Sequence, residues 1–297
     1  MSRGVRAAPL VPILVVALVV TASVTPSAWA AESLLVDAAT LGAQHPARDV
    51  RIVDMVDESV DYRRGHIPGA VYLDVEEARV PVPARGFRLP NVDEAARLFG
   101  KLGLTPDTRV VIYDDARGLN AAWLFYVLEA FGHARVAILD GGIAAWRSAG
   151  LPLATDVSAI TPTSYRPVPR PERVTTADWI RDHLNDGSIA LVDARSPAEY
   201  TGARRYARHG GHIPGAVNLE WQQNLRPNGT FKPLDELRAM YVGAGVTPDK
   251  TVVTYCQTHH RGAHTYFVLR LLGYPRVVGY DRSWAEWGNR DELPVAR

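Results

Sequence analysis

The heptapeptide GHIPGAV at Gly65–Val71 returns unchanged at Gly211–Val217, and the segments around it return in the same order. An apolar run precedes each copy, RIVDMV or IALVDAR, and a second one, RVVIYDD or TVVTYCQ, follows. Next come the helix-length stretches AAWLFYVLEAFG and AHTYFVLRLLG, read as amphipathic, and then RVAILDGGIAAW and RVVGYDRSWAEW. A unit this long, repeated once, is a duplicated domain, because solenoid units are much shorter. Short β-branched runs alternating with longer helical patterns give β-α-β units, hence an α/β fold with a parallel sheet flanked by helices. One domain is expected over residues 32–150 and another over 174–297, joined by the proline- and threonine-rich segment 151–173, extended and pinned against both. Each has enough chain for its own core, since ~50–200 residues suffice for a domain.

Residues 1–30 have the pattern of an export leader. Arg3 and Arg6 give a basic start, LVPILVVALVV an apolar centre and Ala28-Trp29-Ala30 a cleavage signature. The alternative, a retained membrane anchor, is disfavoured by the shortness of the run and by Pro12 and Pro26. Cleavage near Ala30 removes two of the 33 basic residues and none of the 32 acidic ones, leaving 31 against 32 and a net charge of −1. No membrane span is then expected, and a near-neutral chain has no electrostatic footprint for nucleic acid. The expected product is periplasmic or secreted and monomeric. Exported domains use cysteines in pairs, yet this chain has a single one, Cys256, which cannot cross-link within the chain. A lone thiol in an oxidising compartment is either buried or used.

The surroundings of Cys256 favour use. TVVTY reads as a strand, CQTHHR as a loop and GAHTYFVLRLLG as a helix. In parallel α/β sheets ligands sit beyond the carboxyl ends of the strands. The free N–H groups and dipole of a helix start favour an anion there, including a thiolate. The alternative is a cysteine acting as a small buried hydrophobe. Aligning the repeats sets Tyr113-Asp114 against Tyr255-Cys256. A carboxylate is no sulfur nucleophile, so Asp114 and Asp115 read as helix N-caps and one reactive site is expected, in the second half. Cys256 is the candidate nucleophile. Gln257, Thr258, His259, His260 and Arg261 are the candidate substrate-binding residues, with Arg261 offering a bidentate fork.

Together the doubled GHIPGAV, the single cysteine, the aspartate at its first-half counterpart and the ending YDRSWAEWGN resemble a tandem-domain rhodanese. The loop CQTHHR is similar to that of one bacterial branch of the family. The resemblance spans the whole mature chain and implies thiosulfate sulfurtransferase activity with no cofactor. In such a cycle the Cys256 thiolate takes the outer sulfur of thiosulfate, releases sulfite, and passes the sulfur to cyanide or another thiophilic acceptor.

The same loop admits rival chemistries. Cysteine phosphatases carry five residues between cysteine and arginine, whereas Cys256 and Arg261 enclose four, a tighter loop. Cys256, His259, His260 and His264 are metal ligands by type, but no CxxC or HExxH spacing accompanies them. A protonated His259 or His260 would instead favour the thiolate. A non-catalytic anion-binding module has no need of the thiol. The donor itself stays open between thiosulfate and 3-mercaptopyruvate, because CQTHHR matches neither animal-type loop and Glu199 stands where those proteins place a substrate arginine.

Other residues take plainer readings. Arg195 and Glu199, four apart, are expected to pair on a helix, and Asp193 to end a strand. His66 and His212 are expected to bond locally, and Trp284 and Trp287 to pack in the core. Arg282 replaces the glycine usual in the family's closing motif; it either costs strain, if that position has a positive φ, or reaches toward the active site as an extra anion contact.

Overall fold

Each half of the repeat builds its own parallel sheet. A computed structural model describes Met1 and residues 33–45, 49–83 and 86–297; the leader and its cleavage site lie outside the described residues. The first half supplies strands β1 (Leu35–Val36), β2 (Val50–Asp54), β3 (Val71–Tyr72), β4 (Val80–Pro81), β5 (Phe87–Arg88), β6 (Arg109–Tyr113) and β7 (Val136–Leu139). Of these β4 and β5 form an antiparallel ribbon, and the rest one sheet ordered β1-β7-β6-β2-β3. The second half supplies β8 (Ile189–Asp193), β9 (Val217–Asn218), β10 (Thr251–Tyr255) and β11 (Val277–Gly279), ordered β11-β10-β8-β9. The helices of the first half are α1 (Ala38–Gln44), α2 (Ser59–Arg64), α3 (Val92–Lys101), α4 (Leu119–Ala130) and α5 (Gly142–Ser148). Those of the second are α6 (Ala177–Asp182), α7 (Pro197–Tyr200), α8 (Leu234–Gly243), α9 (His260–Leu271) and α10 (Ser283–Trp287). Among the described residues no helix is long and apolar enough to cross a membrane.

The GHIPGAV copies are matching latches, in keeping with the local bonding expected of their histidines. Tyr62 stacks on His66 at 3.9 Å and Tyr200 on His212 at 3.6 Å. Each imidazole Nδ1 bonds the carbonyl oxygen of the tyrosine it stacks on, at 2.9 and 3.0 Å. The next N–H, of Ile67 or Ile213, donates to the hydroxyl of Tyr113 (3.1 Å) or Tyr255 (3.2 Å). Those tyrosines end β6 and β10, so the repeated motif anchors the residue immediately before Asp114 and Cys256.

The stretches read as amphipathic are instead buried nearly all round. α4 and α9 pack on one another as well as on their own sheets, which leaves neither a water-facing stripe. Phe125 meets Phe267 and Tyr126 meets Tyr266, both with ring centroids 4.9 Å apart. Glu129 accepts the Tyr266 hydroxyl at 2.5 Å and pairs with Arg270 at 2.8 Å. The closing motifs clamp the halves reciprocally: Asp281 accepts the Leu89 N–H and Asp140 the Phe231 N–H, each at 2.9 Å. Trp284 and Trp287 are core residues, as expected. Segment 151–173 donates from Thr163 to Gly100 (3.0 Å) and from Arg170 to Ala130 (2.8 Å), and Thr175 just after it donates to Gly279 (3.0 Å).

Candidate active site

Cys256 follows the last residue of β10, and α9 begins at His260. The cysteine is 1% exposed and is held through its backbone. Its N–H donates to Ser283 Oγ (3.2 Å), and that hydroxyl donates to the Tyr280 carbonyl (2.8 Å). The carbonyls of Cys256 and Gln257 accept the N–H groups of Trp284 (3.0 Å) and Ala285 (2.9 Å). The turn entering α10 thus fixes the nucleophile's main chain. Among the described residues the N–H groups of Gln257 to Gly262 have no protein acceptor, the condition of an anion nest at a helix start. His259 closes the turn at φ 64°, and Arg117 holds φ 62° at the same register in the first half. The left-handed turn is therefore demanded by the fold, at roughly 1–2 kcal/mol for a side-chain-bearing residue.

Arg261 is tied to the second half. Its Nη1 and Nη2 donate to the two carboxylate oxygens of Glu199, at 2.7 and 2.9 Å. Glu199 also accepts the Ser196 hydroxyl at 2.8 Å, and its bond from the Ser196 N–H (3.2 Å), with that from its own N–H to Ser196 Oγ (3.4 Å), forms a capping box on α7. Burial alone would raise the Glu199 carboxyl, but the Arg261 fork and Ser196 bring it down to about 2. Burial would likewise depress Arg261, yet Glu199 and the neighbouring Cys256 hold it above its ordinary value. The expected Arg195–Glu199 pair does not form, because α7 starts at Pro197 and leaves Arg195 outside the helix. Arg195 turns back onto Asp193 at 2.5 Å and lies 4.5 Å over the Trp284 ring.

His259 and His260 both lie edge-to-face with Trp123, at 6.2 and 6.4 Å. His259 is fully buried with its ring 4.7 Å from that of Tyr126, and burial pushes it down to about 3. Burial, then Arg79 and Arg261, push His260 well below its ordinary value. Both are neutral at ordinary pH, which corrects the idea that a protonated histidine favours the thiolate. His264 stacks on Phe231 at 5.1 Å. Among the described residues no group of three or more His, Cys, Asp or Glu is placed to hold a metal ion. Gln257 Nε2 donates to the Tyr206 carbonyl at 3.3 Å, and Thr258 Oγ1 accepts from Arg79 Nη2 at 3.4 Å. Arg79 belongs to the first half and was not singled out from the sequence; the site is composite. Arg282 carries no strain, since its φ is −74°, and the positive angle falls on Ser283 at φ 50°.

In the first half the equivalent cradle is already filled. Asp114 Oδ1 accepts the N–H groups of Ala116 (3.0 Å) and Gly118 (2.8 Å), and its Oδ2 accepts that of Ala121 (2.9 Å). The formal N-cap of α4 is Gly118, at φ 83°, and the capping bond comes instead from Asp114 at the strand end, which accepts the N–H of Ala121 in the first turn of the helix. Asp115 is no N-cap of α4 either; it accepts the Asp57 N–H at 3.2 Å. Burial, resisted by its N–H donors, raises the Asp114 carboxyl to about 6. Leu119 stands where the second half has Arg261.

Comparisons with known proteins agree with this duplication. A family model described as the rhodanese-like domain matches residues 37–149 and again 176–290. The chain is 36% identical over 267 residues to a thiosulfate sulfurtransferase of Azotobacter vinelandii, covering 90% of this chain and 98% of that one. It is 39% identical over 261 residues to the sulfur carrier protein TtuD of Thermus thermophilus, covering 84% and 91%. A solved structure of an EanB variant, with ergothioneine covalently linked to a cysteine persulfide, superposes with a TM-score of 0.79 at 27% identity, over 89% of this chain and 70% of that one.

Proposed function

The chain belongs to the rhodanese family of sulfurtransferases, and on that premise we propose that it moves the outer sulfur of thiosulfate through a persulfide on Cys256. The observation that carries this reading is the pairing of the sole cysteine with a cradle of unengaged N–H groups, where the twin cradle is filled by a carboxylate. The Cys256 thiolate attacks the outer sulfur and the S–S bond of thiosulfate breaks. Its electron pair leaves on sulfite, and the cysteine keeps the sulfur as a persulfide anion. Cyanide then takes that sulfur as thiocyanate and regenerates the thiolate. The loop from Gln257 to Arg261 serves through its main-chain donors, which stabilise the negative charge carried at the sulfur throughout the cycle. Arg261, locked by Glu199, adds a fixed positive charge at the rim.

Tetrahedral phosphate fits the reading less well, since the loop has four residues between Cys256 and Arg261 and no aspartic acid within it. We further propose that the mature enzyme works outside the cytoplasm, on the strength of the leader-like residues 1–30. Steady-state assays with thiosulfate or 3-mercaptopyruvate as donor and cyanide as acceptor test the function. Thiocyanate formed faster from thiosulfate is the expected outcome; phosphate release from an aryl phosphate without thiocyanate formation would overturn it.

A further inference from the structure

We propose that Arg79, carried by the half without a nucleophile, is the residue that binds the sulfonate oxygens of the donor and of the departing sulfite. The assignment rests on the thiosulfate reading above. It starts from a difference in charge balance: Arg261 forms a bidentate pair with the buried carboxylate of Glu199, which offsets its charge and takes two of its five N–H donors. Among the described residues Arg79 is a second cation beside the loop. It is only 8% exposed, and its Nε is buried with no partner. Nη1 bonds Glu76, whose side chain is 54% exposed, and Nη2 makes a 3.4 Å bond to Thr258 in the cysteine loop. A solvent-facing partner of that kind offsets little of the cost of burying a charge. A buried guanidinium with spare donors is what a site for a transient anion looks like before the anion arrives.

The packing around Arg79 orients it. The guanidinium lies 3.9 Å over the Phe87 ring and 5.7 Å from that of Trp123, which fixes the plane of the fork. Burial depresses the guanidinium, opposed by Glu76 and by Cys256. The duplication supplies an internal control. Counted from the shared GHIPGAV, the counterpart of Arg79 is Leu225, so the arginine occurs only in the half that faces the cysteine. The twin loop, holding its own carboxylate at Asp114, has no anion to receive.

Thiosulfate arrives as a dianion and sulfite leaves as one, so a cation at the oxygens serves both binding and S–S cleavage. Residue and donor are therefore matched: donors with oxyanion oxygens beside the sulfane sulfur depend on Arg79, and donors without them do not. The test uses the full chain with Arg79→Leu, which copies Leu225, and Arg79→Lys. Thiosulfate kcat and KM are measured, with inhibition by sulfite and loading of Cys256 by inorganic polysulfide, which has no sulfonate oxygens. For Arg79→Leu the expected result is a kcat/KM for thiosulfate lower by roughly 100-fold, with much of the change in KM. Sulfite inhibition weakens in step, polysulfide loading stays near the wild-type rate, and Arg79→Lys recovers part of the loss. Persistent polysulfide loading also shows that the variant is folded. Unchanged thiosulfate KM and sulfite inhibition in Arg79→Leu overturn the assignment, as does an equal loss with both donors, which marks the residue as structural. A wild-type chain that takes no sulfur from thiosulfate overturns the thiosulfate reading itself, and the assignment with it.

Discussion

The loops after β6 and β10 are built on one backbone plan and put to opposite uses. Both follow a tyrosine latched by GHIPGAV, both pass through a left-handed residue, and both run into a buried helix. After β6 the first loop residue is Asp114, whose carboxylate binds three N–H groups and neutralises the cradle from within. After β10 it is Cys256, and six consecutive N–H groups from Gln257 to Gly262 find no protein acceptor among the described residues. Each half carries the same turn of N–H groups; on the proposed function, the residue at one position decides whether the protein or a substrate supplies the anion. Supporting residues follow the same division, with Arg261 against Leu119, Arg79 against Leu225 and Ser283 against Gly142.

The largest effect is expected from exchanging the decisive residues. Cys256→Ser is expected to abolish thiocyanate formation. Asp114→Cys added to it is expected to restore none, because the first-half loop lacks both arginines. Sulfur loading on that double variant, read by intact mass, would show instead that the cradle and a thiol suffice. Arg261→Ala comes next: it strands the buried Glu199 carboxylate and is expected to cost roughly 3 kcal/mol of stability, read by urea denaturation. Adding Glu199→Gln is expected to recover most of that stability and little of the activity. A recovery of both would reduce the pair to scaffolding.

A smaller effect concerns acid. The Glu199 carboxyl is lowered from 4.5 to about 2, so its contribution is present above about pH 4.5 and is lost as the pH falls through about 2. Denaturation midpoints between pH 6 and 2.5 are expected to fall less steeply in Glu199→Gln than in the wild type. Asp114 has the opposite sign. Its folded value, near 6, lies above the ordinary 3.8, so its contribution is largest at low pH and declines as the pH rises through 6. The smallest effects lie in the turn before α10. Ser283→Ala removes the acceptor for the Cys256 N–H and is expected to cost about 1 kcal/mol, read from the thermal midpoint. Arg282→Gly, at a helical φ, is expected to lower stability by about 0.5–1 kcal/mol rather than relieve strain.

The duplication, the parallel sheets and the position of Cys256 were legible because they depend on local patterns: alternation of β-branched runs, a repeated turn, a lone thiol at a strand end. What was not legible depends on contacts between residues far apart in the chain, several of them between the two halves. Nothing near Arg79 in EEARVPV signals that it lies beside Thr258, 179 residues away. The Arg195–Glu199 spacing suggested a helical pair, but Pro197 began the helix two residues after Arg195, and Glu199 was free to take Arg261 from across the fold. The periodicity of α4 and α9 failed for the same reason, since each is covered on its outer side by the other.

The most direct measurement is the mass of the intact chain after incubation with thiosulfate and removal of small molecules, followed by addition of cyanide. The account predicts a gain of one sulfur atom per chain, absent in Cys256→Ser, and its release as one equivalent of thiocyanate. A wild-type chain that turns over thiosulfate without gaining sulfur, or a Cys256→Ser chain that gains it, would contradict the assignment of a single sulfur-carrying site to the second half.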